Sequence, residues 1–226
     1  MPRIEIDFRF VEIEYEFWAL SEFLQIIDPQ LNNLGNKEQR RRFAELREMG
    51  WDRDEGEVQV LSQELDEICE RVLPRFFRGP FVIAVWAAYE AAVTEIARYL
   101  RQEKNLALEL ADIRGHDFIT RARKYFTNVL ATSLDPNEAR LKRLAELLEV
   151  RNALAHGNGQ RRATPENKWN RLKALMQSGT GLSENNGFLT LSSEFVSRAL
   201  EDAKESAKDL ICRVGGGPPV REVGEA

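Results

Sequence analysis

The residues best suited to chemistry form one short motif, Arg151-Asn152-x-x-x-His156, which is followed by glycines at positions 157 and 159. Asn152 and His156 are four residues apart and share one helical face. Arg151 is five residues from the histidine, so a regular helix places the two about 140° apart. Arg151 and His156 can therefore converge only if the helix ends near His156 or if a second subunit supplies one of them. The glycines favour the first, because they release the backbone just past the histidine.

These three side chains suit the cleavage of a phosphodiester without a metal ion. Histidine exchanges protons near neutral pH, so His156 can act as an acid or a base on a 2′-hydroxyl or a leaving 5′-oxygen. Arg151 can bind a phosphate through two N–H groups and stabilise added negative charge. Asn152 can orient the imidazole or donate to a phosphate oxygen. The competing interpretation is a plain polar helix end, where Asn and Gly are common and His is favourable.

Other catalytic signatures are missing from the sequence. It contains no GxGxxG, GxxxxGK[ST], HExxH or GxSxG pattern. Two histidines and two widely separated cysteines, Cys69 and Cys212, argue against a Cys/His metal site and a structural disulfide. No acidic cluster stands out for two-metal chemistry. We therefore expect neither a metal nor a cofactor.

The composition indicates a folded chain. It has 226 residues, of which 43% are hydrophobic and 31% charged, which excludes the disordered and membrane classes. The most apolar stretch, 81–93, is interrupted by Tyr89 and Glu90 and is shorter than the roughly 18 residues of a membrane span. The first ten residues do not resemble a signal peptide. We expect a cytoplasmic protein with no membrane partner.

The charge is unevenly distributed. The chain carries a net charge of −5, whereas the segment 114–173 alone is basic. Such a segment can bind a polyanion such as RNA, or it can be an ordinary solvated surface. The basic residues that could line an RNA path are Arg121, Arg123, Lys124, Arg161 and Arg162.

Apolar residues recur at three- and four-residue steps along most of the chain, which predicts an all-α fold. The predicted helices lie at about 6–28, 36–49, 57–73, 81–102, 118–130, 135–157, 164–177 and 192–214. A short strand at 4–8 and a small hairpin near 180–191 are the exceptions. Prolines 29 and 74 are predicted to end helices, and Asp135 is predicted to cap the motif helix.

The predicted organisation has three parts. Residues 1–78 form an N-terminal helical region that packs on the core, and a boundary follows at Arg78-Gly79-Pro80. Residues 79–214 form the main helical domain, and 215–226 form a disordered tail.

Several stretches, taken together in order, resemble HEPN-domain proteins. VRNALAHGNG (150–159) resembles the family motif at a helix end. FVIAVWAAYEAAVTEIARYL (81–100), with Glu90 embedded in it, is similar to an early core helix of the family. DIRGHDFITRARKYFTNVL (112–130) is similar to the helix before the motif helix. The resemblance covers roughly 81–213 and does not clearly extend to 1–78.

The resemblance implies a HEPN-like all-α bundle that forms a homodimer, with the two motif helices at the interface. It also implies a metal-independent endoribonuclease that leaves a 2′,3′-cyclic phosphate and a 5′-hydroxyl. Such proteins act in toxin–antitoxin systems or antiviral abortive infection, some with an antitoxin or regulatory protein as partner. In a dimer, Arg151 of one subunit could meet His156 of the other. The alternative is a non-catalytic HEPN-like module for protein or nucleotide binding and dimerisation.

Some further residues admit two interpretations each. Glu90 either pairs with Arg151 and supports the site or is a satisfied acid in a helix. His116 is either a second base or part of a helix start capped by Asp117. The four tryptophans, at 18, 51, 86 and 169, are expected in the core or at an interface, the alternative being platforms on which nucleic-acid bases stack.

Overall fold

The structure, a computed structural model, describes residues 10–215. The strand considered at 4–8 lies outside the described residues, and so does the tail predicted over 215–226, except for Gly215, which is the last residue of the final helix. The described chain is all-α with one small hairpin, as the sequence predicts. HEPN-like character remains a prediction.

Seven α-helices, three short helical turns and one hairpin make up the described chain. In order they are α1 (Val11–Glu48), α2 (Glu55–Glu67), a π-helical turn (Ile68–Val72), α3 (Leu73–Glu103), a 3₁₀ turn (Leu110–Asp112), α4 (Phe118–Asn128), α5 (Glu138–Gly157), a 3₁₀ turn (Arg161–Ala163), α6 (Glu166–Gln177), β1 (Leu182–Asn185), β2 (Phe188–Leu191) and α7 (Ser193–Gly215).

Three prolines expected to interrupt the chain lie within helices instead, so these predictions are wrong. Pro29 lies inside α1, which replaces the two helices predicted over 6–28 and 36–49. Pro80 lies inside α3, so the boundary predicted at 78–80 falls within a continuous helix. Proline loses one backbone hydrogen bond but keeps a helical φ, and tertiary packing can offset that loss.

Pro74 stands in the first turn of α3. The N–H of Leu73 donates to the carbonyl oxygen of Ile68, five residues back, at the end of the π-helical turn. The regular helical ladder is thus already interrupted where Pro74 follows, and the helical backbone continues through it.

The described chain divides into two compact units, each built from separate segments. One contains residues 10–19, 84–148 and 199–215, and the other contains 20–83 and 149–198. The arginine-histidine motif lies in the second unit.

In the first unit, the core is built around the middle of α3. Trp86, Tyr89, Val93 and Ile96 are completely buried there. The Trp86 ring meets the Phe118 ring edge-on, with centroids 6.0 Å apart. This agrees with the expectation of a central, buried helix over 81–102.

A buried ion pair lies beside this core. The Arg140 guanidinium donates to both carboxylate oxygens of Asp135, at 2.7 and 2.9 Å, and also to Asp209. Asp135 is therefore not the N-cap of α5. Asn137 holds that place, because its Oδ1 accepts the N–H of Arg140 at 3.1 Å.

In the second unit, the hairpin is antiparallel and pairs Leu182 with Leu191 and Asn185 with Phe188. Arg78 of α3 donates to Asp28 of α1 at 2.9 Å and to the carbonyl oxygen of Leu191 at 3.0 Å. This one side chain thus joins α1, α3 and β2.

One helical stretch among the described residues, Glu55–Glu103, is long and apolar enough to cross a membrane by length and composition. Its most apolar window is 56% buried inside the protein. Buried core helices meet the same criterion, so this is weak evidence for a span.

Candidate functional site

The motif occupies the last two turns of α5. Arg151 and Asn152 are half-buried, whereas His156 is exposed. The helix ends at Gly157, as predicted. The next two residues, Asn158 and Gly159, both have left-handed backbone, with φ of 49° and 68°. This sharp reversal lets the N–H of Gly159 donate to the carbonyl oxygen of Ala153 at 3.0 Å and close the helix end.

The segment after the motif joins the hairpin. The N–H of Leu189 donates to the carbonyl oxygen of Gly159 at 2.8 Å. The N–H of Arg161 donates to the carbonyl oxygen of Gly187 at 2.9 Å. Gln160 and Phe188 form the β-bridge between these two bonds. The end of the motif helix is thus held by sheet-like pairing.

Arg151 contacts its neighbour in the motif. Its Nη1 donates to Asn152 Oδ1 at 3.1 Å. Its Nε is buried and has no hydrogen-bond acceptor among residues 10–215. The geometry therefore joins Arg151 to Asn152, and within the described chain no hydrogen bond or ion pair joins Arg151 to His156.

Asn152 and His156 line a small groove between α5 and α6, called here the α5–α6 groove. Its volume is about 50 Å³. The lining residues are Glu149, Asn152, Ala153, His156, Gly157, Ala163, Thr164, Pro165, Lys168 and Leu172. The predicted i,i+4 relationship thus places two motif side chains in one groove, and Arg151 is not among the lining residues.

Lys168 is the groove residue that the sequence analysis missed. It lies in the first turn of α6, twelve positions beyond His156. The sequence predicts a helix from about 164 and thus places that turn closely, since α6 begins at Glu166. No residue pattern links Lys168 to the motif, because only the packing of α6 against α5 brings them together.

The charges around the groove are unbalanced. Its one carboxylate, Glu149, accepts a hydrogen bond from Arg171 at 2.7 Å and is thereby neutralised. In the part of the chain that the structure describes, the side chains of Lys168 and His156 have no ion pair or hydrogen bond. The groove therefore presents nitrogen groups to solvent, and an anion is the ligand that such groups attract.

The other basic residues singled out from the sequence fall in two places. Arg161 and Arg162 form the exposed 3₁₀ turn after the motif and share its unit. Arg121, Arg123 and Lys124 belong to α4 in the other unit.

Arg123 and Lys124 line an open groove of about 490 Å³ together with Lys142, whereas Arg121 does not line it. Arg123 pairs with the exposed Glu138 at 2.9 Å, and Lys124 donates to the carbonyl oxygen of Arg114 at 3.1 Å. RNA binding by these residues stays a prediction.

Glu90 has a partner in its own helix. Its carboxylate accepts the indole N–H of Trp86 at 2.9 Å. A bonded acid within a core helix agrees with the structural interpretation of Glu90, and its support of the site stays a prediction.

His116 is exposed at the start of α4. Its Nε2 lies 2.7 Å from Asp117 Oδ2. Asp117 Oδ1 accepts the N–H of Thr120 at 2.7 Å and caps α4, as predicted. His116 therefore belongs to the start of α4, outside the motif.

The tryptophans and cysteines complete the sequence-derived candidates. Trp86 and Trp169 are fully buried, whereas Trp18 and Trp51 are more than half exposed. Cys69 and Cys212 are both free thiols. Residues 10–215 contain no group of three or more metal-ligating side chains.

Comparison of the chain with protein-family models, with curated proteins and with solved structures gives no match in any of the three.

Proposed function

We propose that this protein is a metal-independent endoribonuclease of the HEPN type. The observation that carries the proposal is the placement of Asn152 and His156 on one face of α5, lining a donor-rich groove at its end. Arg151 adds a cation bonded to Asn152. The motif resemblance supplies the reaction class.

The proposed reaction is an internal transesterification of RNA. The 2′-oxygen attacks the adjacent phosphorus, and the bond between phosphorus and the 5′-oxygen breaks. One proton leaves the 2′-hydroxyl and one proton reaches the 5′-oxygen, so the products are a 2′,3′-cyclic phosphate and a 5′-hydroxyl. No water, metal or redox partner is consumed.

Each motif residue has a role in this scheme. His156, exposed at the helix end, exchanges a proton with the 2′- or the 5′-oxygen. Arg151 supplies positive charge to the phosphate as negative charge builds up in the transition state. Asn152, held by Arg151, positions the reacting groups from within the groove.

The resemblance also supports a homodimer acting in the cytoplasm, in a toxin–antitoxin or antiviral defence setting. A dimer would allow Arg151 of one subunit to approach His156 of the other, which the geometry of one helix does not achieve. An antitoxin or regulatory protein would then control the activity.

The test is a gel assay on total RNA and tRNA with EDTA present. It compares wild type, Arg151→Ala and His156→Ala, with His116→Ala as the matched control, since the chain has two histidines and His116 is outside the motif. We expect cleavage by wild type and the control alone, with cyclic-phosphate ends. Full activity of a folded His156→Ala variant would overturn the mechanism.

A non-catalytic module is the second candidate, and one observation favours it. Tyr15 and Trp18, one turn apart on α1, are both about 60% exposed. Large exposed aromatic side chains are typical of protein interfaces. This function predicts no RNA turnover by wild type and a change in oligomer size, measured by light scattering, in Arg151→Ala.

A further inference from the structure

We propose that Lys168 is the residue that binds phosphate in the α5–α6 groove of its own subunit, where Arg151 of that subunit holds Asn152. The charge that the proposed mechanism assigns to Arg151 then comes from the other subunit of the proposed dimer. This inference rests on the proposed function for the identity of the substrate. The binding of a phosphate group to the groove can be measured separately.

The side chains that line the groove favour an anionic ligand. The Oδ1 of Asn152 is occupied by Arg151, so the amide group that remains for a ligand is the Nδ2 donor. The hydroxyl of Thr164 is not part of this donor set, because its proton is donated to the carbonyl oxygen of Gln160 at 2.9 Å. The ammonium of Lys168 has donors and no acceptor. A phosphate oxygen is a pure acceptor and complements this set.

The charges that line the groove also favour an anion. A free carboxylate in the groove would repel a phosphate, but Glu149 is bonded to Arg171 at 2.7 Å. Lys168 has no carboxylate within the described residues to neutralise it. Its positive charge is therefore available to a ligand.

Arg151 lies outside the groove that contains His156. Its Nη1 is bonded to Asn152, and its Nε is buried. Among residues 10–215, Lys168 is the one lysine or arginine that lines the groove containing the motif histidine.

The groove is small. The groove measures about 50 Å³. Pockets for whole small molecules measure about 300–1,000 Å³, so this groove is too small to enclose a nucleotide. The groove suits one phosphate group, with the rest of the RNA lying outside it.

The binding test uses inorganic phosphate as the probe and the His156 imidazole as the reporter. Wild type, Lys168→Gln, Lys168→Arg and Lys173→Gln are titrated with phosphate while the imidazole NMR signals are followed. Lys173 is the matched control, because it is on α6 outside the groove lining. His116→Gln in each background assigns the His156 signal.

We expect saturable shifts of the His156 signal in wild type and Lys173→Gln. Lys168→Gln should weaken binding about tenfold, the effect of losing one charged hydrogen bond. Lys168→Arg should retain most of the affinity. Equal affinity in wild type and Lys168→Gln, or an equal loss in Lys173→Gln, would overturn the assignment.

The same variants are assayed for RNA cleavage. Lys168→Gln should lower kcat/KM by about tenfold or more, whereas Lys173→Gln should match wild type. Absence of cleavage by wild type would overturn the proposed function only. The phosphate titration would still decide whether Lys168 binds the anion.

Discussion

The N–H of Leu189 donates to the carbonyl oxygen of Gly159 at 2.8 Å, which ties β2 to a residue three positions beyond His156. Asn186 and Gly187 at the hairpin turn both have positive φ, the pattern of a tight two-residue connection. The hairpin thus has a local turn of its own and a further partner in the chain that follows the motif. We infer that this pairing fixes where the motif helix ends.

Gly159→Ala should destabilise the protein and reduce RNA cleavage. The residue has φ of 68°, which costs a side chain about 1 kcal/mol. An added Cβ would make van der Waals contact with Leu154 Cδ2 and Leu189 Cβ, both at 3.4 Å, so the backbone strain would act at the segment paired with the hairpin. Urea denaturation and the gel assay measure the two effects.

Gly179→Ala is the matched control for that change. Gly179 has nearly the same φ, 69°, but a Cβ there would meet nothing within 4 Å. Gly179→Ala should lower the free energy of unfolding by the cost of the left-handed backbone and should cleave RNA as wild type does. Equal cleavage by the two variants would contradict a role for the Gly159 pairing in positioning His156.

Asp135→Asn should be strongly destabilising. Asp135 is 1% exposed and accepts two hydrogen bonds from Arg140. Removing one partner of a buried pair costs about 3–5 kcal/mol, because the other charge stays buried. Glu138→Gln is the control, since its pair with Arg123 is exposed and worth little. Urea denaturation of both variants at pH 7 makes the comparison, and similar losses would contradict this account.

The same ion pair predicts how stability depends on pH. Burial alone would raise the pKa of Asp135, but hydrogen bonds from Arg140, Ser206 and the Asn137 N–H hold that pKa below its usual value. Because the pKa of Asp135 is lower in the folded than in the unfolded state, its ionised form stabilises the protein at pH values above the unfolded-state pKa of about 3.9. That stabilisation is lost as the pH falls through the folded-state pKa. Wild type should therefore lose more stability than Asp135→Asn between pH 5 and 2, as measured by thermal denaturation. Parallel curves would exclude Asp135 as the cause.

The sequence predicts the local features well, because capping and turn signals act over a few residues. The end of α5 at Gly157, the Asp117 cap of α4 and the hairpin near 180–191 all follow from such signals. The helix predicted from about 192 begins at Ser193, and the Oγ of Ser192 accepts the N–H of Phe195. The alignment of Asn152 with His156 likewise needs only the helical repeat.

Features that depend on distant residues were not predictable. Asp135 has the local pattern of a cap, yet Arg140 and Asp209 bind it in the core, and Asp209 is 74 positions away along the chain. Lys168 enters the site through the packing of two helices. Prolines 29 and 80 lie inside helices although each removes one backbone hydrogen bond, and no local pattern around them indicates this.

Arg78→Ala tests whether the chain has a linker at 78–80. In a linker this change would have little effect on stability. In the structure, Arg78 donates to Asp28 and to the carbonyl oxygen of Leu191, and hydrogen bonds of a charged group contribute about 1.5–3 kcal/mol each. Because the Arg78 and Asp28 side chains are partly exposed, we expect less than the full sum of the two bonds, a loss of about 2–4 kcal/mol in urea denaturation. Arg98→Ala, which removes an exposed pair with Glu95, should change stability little. An Arg78→Ala variant as stable as Arg98→Ala would contradict the continuous α3 and favour the linker.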